Sequence, residues 1–506
     1  MSYVIVLDFG AQYNHLIARR VREARIFCEV LPGDTPAAEI LSKNPDALIL
    51  SGGPASVFAE NAPTMDPALL TEGIPVLGIC YGMQLMTRLL GGEVKPATKR
   101  EYGRTRMERI GDGPLLQGIP ENSTVWMSHG DAVLTAPEGF TVIATTPTTP
   151  IAAMANQARN LWAVQYHPEV HHTPEGHAML RNFLYNIAHL TPDWDPKDRV
   201  EEGIRQIQDA VGPGRALVAL SGGVDSAVAA ALAHRALGPR LTAVLIDHGL
   251  MRQGEIEEVE AAFPDLDLRV EHAEAEFLAA LEGVRDPEAK RKIIGREFIR
   301  AFERARESII GPVAHLIQGT VYPDVIESGG GKGSTIKSHH NVGGMPEDAD
   351  FTVVEPLRWF FKDEVRELGT ALGLPDAIVW RQPFPGPGLA VRIVGEVTPE
   401  ALVMVRQADA IVREEVWREG LGKEIWQAFA VLLDIRSVGV MGDGRTYGQP
   451  IVIRAVESQD GMTADWVRLS PELLDRMATR IVGEVPGVNR VVYDITSKPP
   501  GTIEWE

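Results

Sequence analysis

The chain reads as α/β: two doubly wound open sheets, followed by a small α+β unit at the C-terminal end. Three observations predict this. Short apolar runs ending in Gly, Ser, Asp or Cys recur through the first two blocks, the pattern of parallel strands buried on both faces. Helical stretches stand between those runs. Proline-containing punctuation at 190–198 and 381–388 divides the 506 residues into three blocks, in line with about 100–200 residues per domain.

The first block, 1–189, holds the strand candidates VIVLD (4–8), ALILSG (47–52) and PVLGIC (75–80). The helical pattern QLMTRLL (84–90) is stopped by Gly91-Gly92. An open α/β sheet displays its chemistry at the carboxyl ends of its strands, and here those ends carry Asp, Gly or Cys. LTPDWDPKD (190–198) reads as a linker. In the second block, 195–381, ALVAL (216–220) and LTAVLID (241–247) flank the Ala-rich helix SAVAAALAHRAL (226–237). A charged helix covers roughly 287–308, and HLIQGT (315–320) returns as a strand. SGGGKGSTIKSHHNVGG (328–344) is a glycine-rich loop, in a compact domain either a lid or disordered. RQPFPGPG (381–388) cannot continue a helix or a central strand. The third block, 382–506, reads helix 399–419, strands near 429–435 and 450–456, helix 471–482 and strand 489–495.

A net charge of -20 argues against non-specific nucleic-acid binding. At 44% hydrophobic and 23% charged residues the composition is that of a soluble globular protein. Two cysteines, Cys28 and Cys80, make no disulfide framework and no CxxC pair, and they suit a reducing cytoplasm. The opening MSYVIVLDFGAQ has no basic n-region and meets Asp8 early, unlike a signal peptide. No apolar run has the length of a membrane span.

Two strings carry chemistry. In LGICYGMQ (77–84), Cys80 sits between a strand and a helix at a G-x-C-x-G-x-Q turn. A nucleophile elbow exposes its side chain and gathers backbone N–H groups around it, and the helix N-terminus favours an anionic sulfur. A thiol nucleophile needs a base, and the base an orienting group. LWAVQYHPE (161–169) offers His167 and Glu169. Ser51-Gly52-Gly53-Pro54 ends another strand with N–H groups for an oxyanion hole. His167, His171, His172 and His177 also invite a metal reading, but Pro168 spoils a helix there and no cysteine stands beside them.

In the second string, Ser221-Gly222-Gly223-Val224-Asp225-Ser226 joins a strand to a helix. Its glycines admit phosphate oxygens to the backbone, its serines donate hydroxyls, and the helix dipole favours the anion. Asp225 can hold Mg²⁺ bridging the phosphates. It is not a Walker A loop, since neither Gly331-Lys332 nor Gly422-Lys423 is followed by Ser or Thr.

On these residues the first block resembles a class I (triad) glutamine amidotransferase domain and the second an N-type ATP pyrophosphatase of the adenine-nucleotide alpha-hydrolase-like kind. Their order, with IKSHHNVGG, RQPFPGPGL and the tail SKPPGTIEWE, is similar to the glutamine-hydrolysing GMP synthetase family over essentially the whole chain. The resemblance implies Cys80 as nucleophile, His167 as base and Glu169 as orienting acid. It implies an oxyanion hole at the Gly53 and Tyr81 amides, and glutamine contacts at Gly52, Gln84 and Asp131. It implies ATP contacts along Ser221, Gly222, Gly223, Val224, Asp225, Ser226 and Ala227, with Mg²⁺ as the cofactor. Lys337 falls in the lid. Asp443, Arg445, Lys498 and Glu504 match positions associated with the xanthine nucleotide. In DHG (247–249), His248 replaces an asparagine common among relatives. The implied third block dimerises and binds XMP, its uncovered strands being compatible with a two-fold interface.

The implied reaction releases ammonia from glutamine, adenylates O2 of XMP with ATP, and lets ammonia displace AMP to give GMP. Two other readings stay open at this point. The acceptor can be another amide or amine former's substrate, or the first block can be a regulatory module with an inert triad.

Overall fold

The structure, a computed structural model, describes the chain except residues 12–13, 112, 308, 310–312, 328–351, 442, 459–460 and 462, and the side chains at 14, 97–100 and 441. The residues divide into two compact units, Met1–Asp195 with Pro323–Thr335 and Pro196–Tyr322 with Ile336–Glu506.

The first unit is built on a nine-stranded sheet. Its parallel half runs Phe27–Pro32, Tyr3–Asp8, Ala47–Leu50, Val76–Ile79, Leu161–Val164. Ala47–Leu50, Val76–Ile79 and Leu161–Val164 are buried at every residue, which is why each is uniformly apolar. The sheet then continues antiparallel through Ala153–Asn156, Thr141–Thr145, Glu93–Arg109 and Asn122–Thr135. The strand–helix–strand pattern expected across the whole block omits this half. Glu93–Arg109 is dense in Lys, Arg and Glu and has no apolar run. Asn122–Thr135 buries alternate residues over its first half, as a strand with one solvated face does.

In the second unit, five parallel strands lie in the order Asp267–His272, Leu241–Asp247, Ala216–Leu220, His315–Ile317, Thr352–Val354. The helix Val224–Leu237 buries nine residues, five of them alanine, so it packs closely on the sheet. The charged helix runs Pro287–Glu307. A six-stranded sheet follows, centred on Gln427–Leu433 and the long Gly444–Glu457, with Ser437–Met441 closing a hairpin on the latter. That hairpin strand had no counterpart among the sequence expectations. The helices Pro399–Arg418 and Pro471–Glu484 lie at 399–419 and 471–482 of the sequence reading to within two residues. One apolar core runs from Leu217 and Val244 through Val405 and Ile453 to Ile481, so both sheets of this unit share it.

The C-terminal tail is docked. Buried Arg454 donates to the carbonyls of Thr496, Thr502 and Ile503 at 2.8–2.9 Å. Lys290, fully buried, donates to the Ile393 carbonyl at 2.7 Å and pairs with Glu506. Among the described residues no helix is long and apolar enough to cross a membrane.

Candidate active sites

Cys80 occupies the N-cap of the helix Tyr81–Leu89 with φ 51° and ψ −103°, a conformation strained for any residue with a side chain. Close packing imposes it. A Cβ on Gly78 would lie 2.9 Å from the backbone of Gly82 and Met83, and one on Gly82 would lie 2.5 Å from the Leu50 carbonyl. The Cys80 N–H donates to the Val164 carbonyl at 2.8 Å and the Gly82 N–H to the Ser51 carbonyl at 3.0 Å. The two glycines of the motif thus bring three strand ends together under the sulfur.

His167 follows the strand Leu161–Val164. Its N–H donates to the Trp126 carbonyl at 3.0 Å, and its carbonyl accepts the Thr173 hydroxyl at 2.6 Å. Its Nδ1 lies 2.7 Å from Glu169 Oε1, and the imidazole hydrogen-bonds the Cys80 side chain. Burial works against a charged imidazole here, but the Glu169 carboxylate and the Cys80 sulfur outweigh it and hold His167 well above its ordinary value. Glu169 is 1% exposed, and its Oε2 has no partner among the described residues. A Cβ on Gly52 would lie 3.1 Å from His167 Cε1 and 3.8 Å from Cys80 Cβ, so glycine keeps the space over the sulfur open.

Gly53 is packed so tightly against the Phe9 carbonyl and the Tyr81 ring that a Cβ would lie 2.9 Å and 3.2 Å from them. Among the described residues no protein acceptor takes the Gly53 or Tyr81 N–H. These two donors are therefore available to an oxyanion. Gln84 Nε2 donates to the Asp131 carbonyl at 2.8 Å, and Asp131 Oδ2 accepts the Ser56 hydroxyl at 2.5 Å. All eight residues expected at this site converge. Sequence reasoning missed Ser56 and Gln165. Gln165 is fully buried, and the signal was a lone amide set among the apolar residues of LWAVQY. No three of His, Cys, Asp and Glu cluster as metal ligands among the described residues.

At the second site, Gly222 has φ 75° and Gly223 caps the helix Val224–Leu237. Ser226 Oγ accepts the Ser221 N–H at 3.2 Å and donates to the Gly223 carbonyl at 3.0 Å, closing the loop. Among the described residues no protein acceptor takes the N–H groups of Gly222 through Ser226. Five consecutive donors at a helix N-terminus form an anion cradle. Arg381 Nη1 donates to the Gly222 carbonyl at 2.7 Å and pairs with Glu255 at 2.8 Å, bracing the loop from behind. Asp225 Oδ2 lies 3.6 Å from Lys362 Nζ, while Asp225 Oδ1 is buried without a partner among the described residues. That orphaned oxygen, with a phosphate cradle beside it, fits a magnesium ligand. No motif in the sequence marked Lys362, and RQPFPGPG (381–388) gave no sign that its Arg381 braces this loop. His248 Nδ1 accepts the Leu250 N–H at 3.1 Å, the turn contact an asparagine oxygen would make. Its burial, aided by Arg406 and opposed by Asp247, lowers it to about 4, so the ring is neutral.

The four residues expected around a xanthine nucleotide do not meet within one chain. Asp443 and Arg445 are exposed at the hairpin end of Gly444–Glu457. Lys498 bridges Ala464, beyond that strand's other end, and its Nζ donates to the Gly461 carbonyl at 2.7 Å. The strand's 14 residues span roughly 40 Å of extended chain. Glu504 takes both Nε and Nη2 of Arg392 at 3.2 and 3.1 Å, and Gln427 at 2.9 Å. Lys337 lies outside the described residues.

Known families match each of the three blocks of the chain. The family profile "Glutamine amidotransferase class-I" matches residues 5–187, "NAD synthase" residues 198–309 and "GMP synthase C terminal domain" residues 414–505. The chain is 58% identical over 508 residues to the GMP synthase (glutamine-hydrolyzing) of Carboxydothermus hydrogenoformans, covering 100% of both chains. It is 60% identical over 513 residues to that of Streptomyces avermitilis, covering 99% of this chain and 98% of the relative.

Proposed function

Because the chain belongs to the family of glutamine-hydrolysing GMP synthases, we propose that the two turns described above divide one reaction between them. The chain is an ATP-dependent carbon–nitrogen ligase of purine biosynthesis. It hydrolyses glutamine to glutamate and ammonia, adenylates XMP at O2 with release of pyrophosphate, and lets ammonia displace AMP to form GMP. A ring carbonyl oxygen is a poor leaving group, and adenylation converts it to a good one.

We assign the first half to Cys80. Its sulfur attacks the glutamine amide carbon, and the Gly53 and Tyr81 N–H groups take the charge that develops on oxygen. His167, held through Nδ1 by Glu169, passes a proton to the departing ammonia and then activates the water that opens the thioester. Gly52, Gln84 and Asp131 hold the substrate. The second half belongs to residues 221–227, where the N–H groups of Gly222 through Ser226 suit the β- and γ-phosphates that leave as pyrophosphate. Asp225 would hold Mg²⁺, whose role is to neutralise charge on that leaving group.

We read residues 1–189, 195–381 and 382–506 as glutaminase, pyrophosphatase, and dimerisation with XMP binding. Lys498 and Glu504 are assigned to the nucleotide, with Asp443 and Arg445 as further XMP contacts and Lys337 in a lid. A homodimer is supported by Val438, Val440 and Tyr447, 51%, 74% and 60% exposed on one hairpin. A chain of 506 residues with only two cysteines and no CxxC pair supports a cytoplasmic setting.

The observation that carries this reading is the presence on one chain of a strained cysteine turn backed by an imidazole–carboxylate pair and a five-donor cradle. The test measures AMP and GMP from XMP, ATP and Mg²⁺ with glutamine or ammonium as donor. Cys80→Ala lowers glutamine-dependent GMP formation by at least about a thousandfold and leaves the ammonium reaction intact. Loss of both activities refutes two separable sites, and no AMP with either donor refutes the synthetase assignment.

A further inference from the structure

Gln165 stands two residues before the base and is fully buried. Its N–H donates to the Ala152 carbonyl at 2.8 Å, which fixes its backbone. Both ends of its side chain are engaged: Oε1 faces Gln84 Nε2 at 3.3 Å, and Nε2 faces the Cys80 sulfur at 3.7 Å.

The orientation of this amide is forced. The Asp131 carbonyl can only accept, so Gln84 presents its NH₂ group there, at 2.8 Å. The same nitrogen faces Gln165, whose near end must then be its oxygen. The NH₂ of Gln165 is left pointing at the sulfur. A second buried group anchors the chain from the other side, since His129 Nδ1 contacts the same Asp131 carbonyl at 2.9 Å.

The sulfur therefore has two opposed neighbours besides His167. The Ser128 carbonyl, 3.6 Å away, accepts an S–H and stabilises the neutral thiol. The Gln165 amide donates and stabilises the thiolate, and a buried N–H left without an acceptor is costly. We propose that Gln165 is a catalytic residue of the glutaminase site, its side-chain N–H holding Cys80 as the thiolate that attacks glutamine. The proposal rests on the assignment of Cys80 as nucleophile.

The experiment uses the full chain with Gln165→Met, which keeps the volume but removes the donor, and Gln165→Glu, which donates only when protonated. Three quantities are read: the rate of Cys80 alkylation by iodoacetamide, located by peptide mass; kcat and KM for glutamine; and ammonium-dependent GMP formation. Besides the introduced carboxyl, the titratable groups around the sulfur are His167 with Glu169 and, on the long strands, His129 with Glu101 and Asp131. Gln165→Met is expected to slow alkylation near neutral pH, and kcat, by about tenfold, with KM little changed. The ammonium reaction is unaffected. For Gln165→Glu the alkylation rate relative to wild type falls as pH rises, because its donor is lost on ionisation. Wild-type behaviour of Gln165→Met, a rise in KM alone, or a Glu-to-wild-type ratio that is flat in pH overturns the proposal. Should wild-type chain alkylated at Cys80 still use glutamine, the nucleophile assignment itself fails, which is a separate outcome.

Discussion

The Cys80 turn and the Ser221–Ser226 loop are the same device put to different ends. Each follows a buried parallel strand, each opens a helix, and each holds one residue at positive φ, 51° for Cys80 and 75° for Gly222. On the proposed assignment the residue in the awkward conformation at the first turn is the reagent, so it has to carry a side chain and the strain stays. On the same assignment the backbone acts at the second turn, so glycine removes the strain and clears the way for phosphate. A covalent site and an anion site on the same kind of turn thus make opposite demands at one position.

Adding a side chain to the second turn is the strongest way to break this comparison. A Cβ at Gly222 would sit 2.8 Å from Glu255 Oε1 and 3.2 Å from Arg381 Nη1, in a backbone region unfavourable to L residues. Gly222→Ala then displaces the brace behind the loop as well as the loop. GMP formation is expected to fall about a hundredfold or more with either nitrogen donor, since small misplacements of reacting groups are that costly. Glutamine hydrolysis survives. Near-normal synthesis with ammonium in this variant would mean that the five N–H groups do not hold the phosphates.

Removing the side chain from the first turn tests the other half. Glycine ordinarily destabilises a folded position by about 0.5–1 kcal/mol relative to alanine. At position 80 the strained conformation costs about 1–3 kcal/mol for a residue with a Cβ. Both substitutions remove the sulfur, but Cys80→Gly is expected to be more stable than Cys80→Ala by about 1 kcal/mol, read by chemical denaturation of the full chain. The usual order, with alanine ahead, would show that the turn stores no strain.

The two turns were legible in the sequence because each is a local arrangement of a strand, a glycine turn and a helix start within about a dozen residues. The His167–Glu169 pair was legible because the two residues lie two apart at the end of an apolar strand. What escaped was held by distant contacts. Ser56 meets Asp131 across 75 positions, Gln165 meets Cys80 across 85, and Arg381 meets Gly222 across 159. The antiparallel half of the first sheet escaped for another reason: Glu93–Arg109 is a charged strand whose place is set by pairing with Asn122–Thr135, not by an apolar run. The tail's two prolines and Trp505 pointed to docking, but nothing in its sequence identified Arg454 and Lys290 as the buried cations that receive it.

The smallest effect concerns charge rather than shape, and it belongs to the cysteine site, where neighbouring groups hold a buried imidazole charged. Burial alone would push the His167 imidazole down, and the Glu169 carboxylate is the larger of the two groups that overcome it, Cys80 being the other. A histidine raised on folding contributes stability fully below its unfolded value of about 6.5 and loses that contribution as pH climbs through the folded value. Glu169→Gln removes the main source of the rise and leaves burial to favour the neutral ring. The gap in thermal stability between wild type and Glu169→Gln should therefore be widest near pH 6 and close as the solution becomes alkaline. Each kcal/mol of that gap amounts to about 2–4 °C for a unit of this size. A gap that holds constant or grows toward high pH would mean that Glu169 only orients the ring, and the imidazolium would then owe its charge to the sulfur alone.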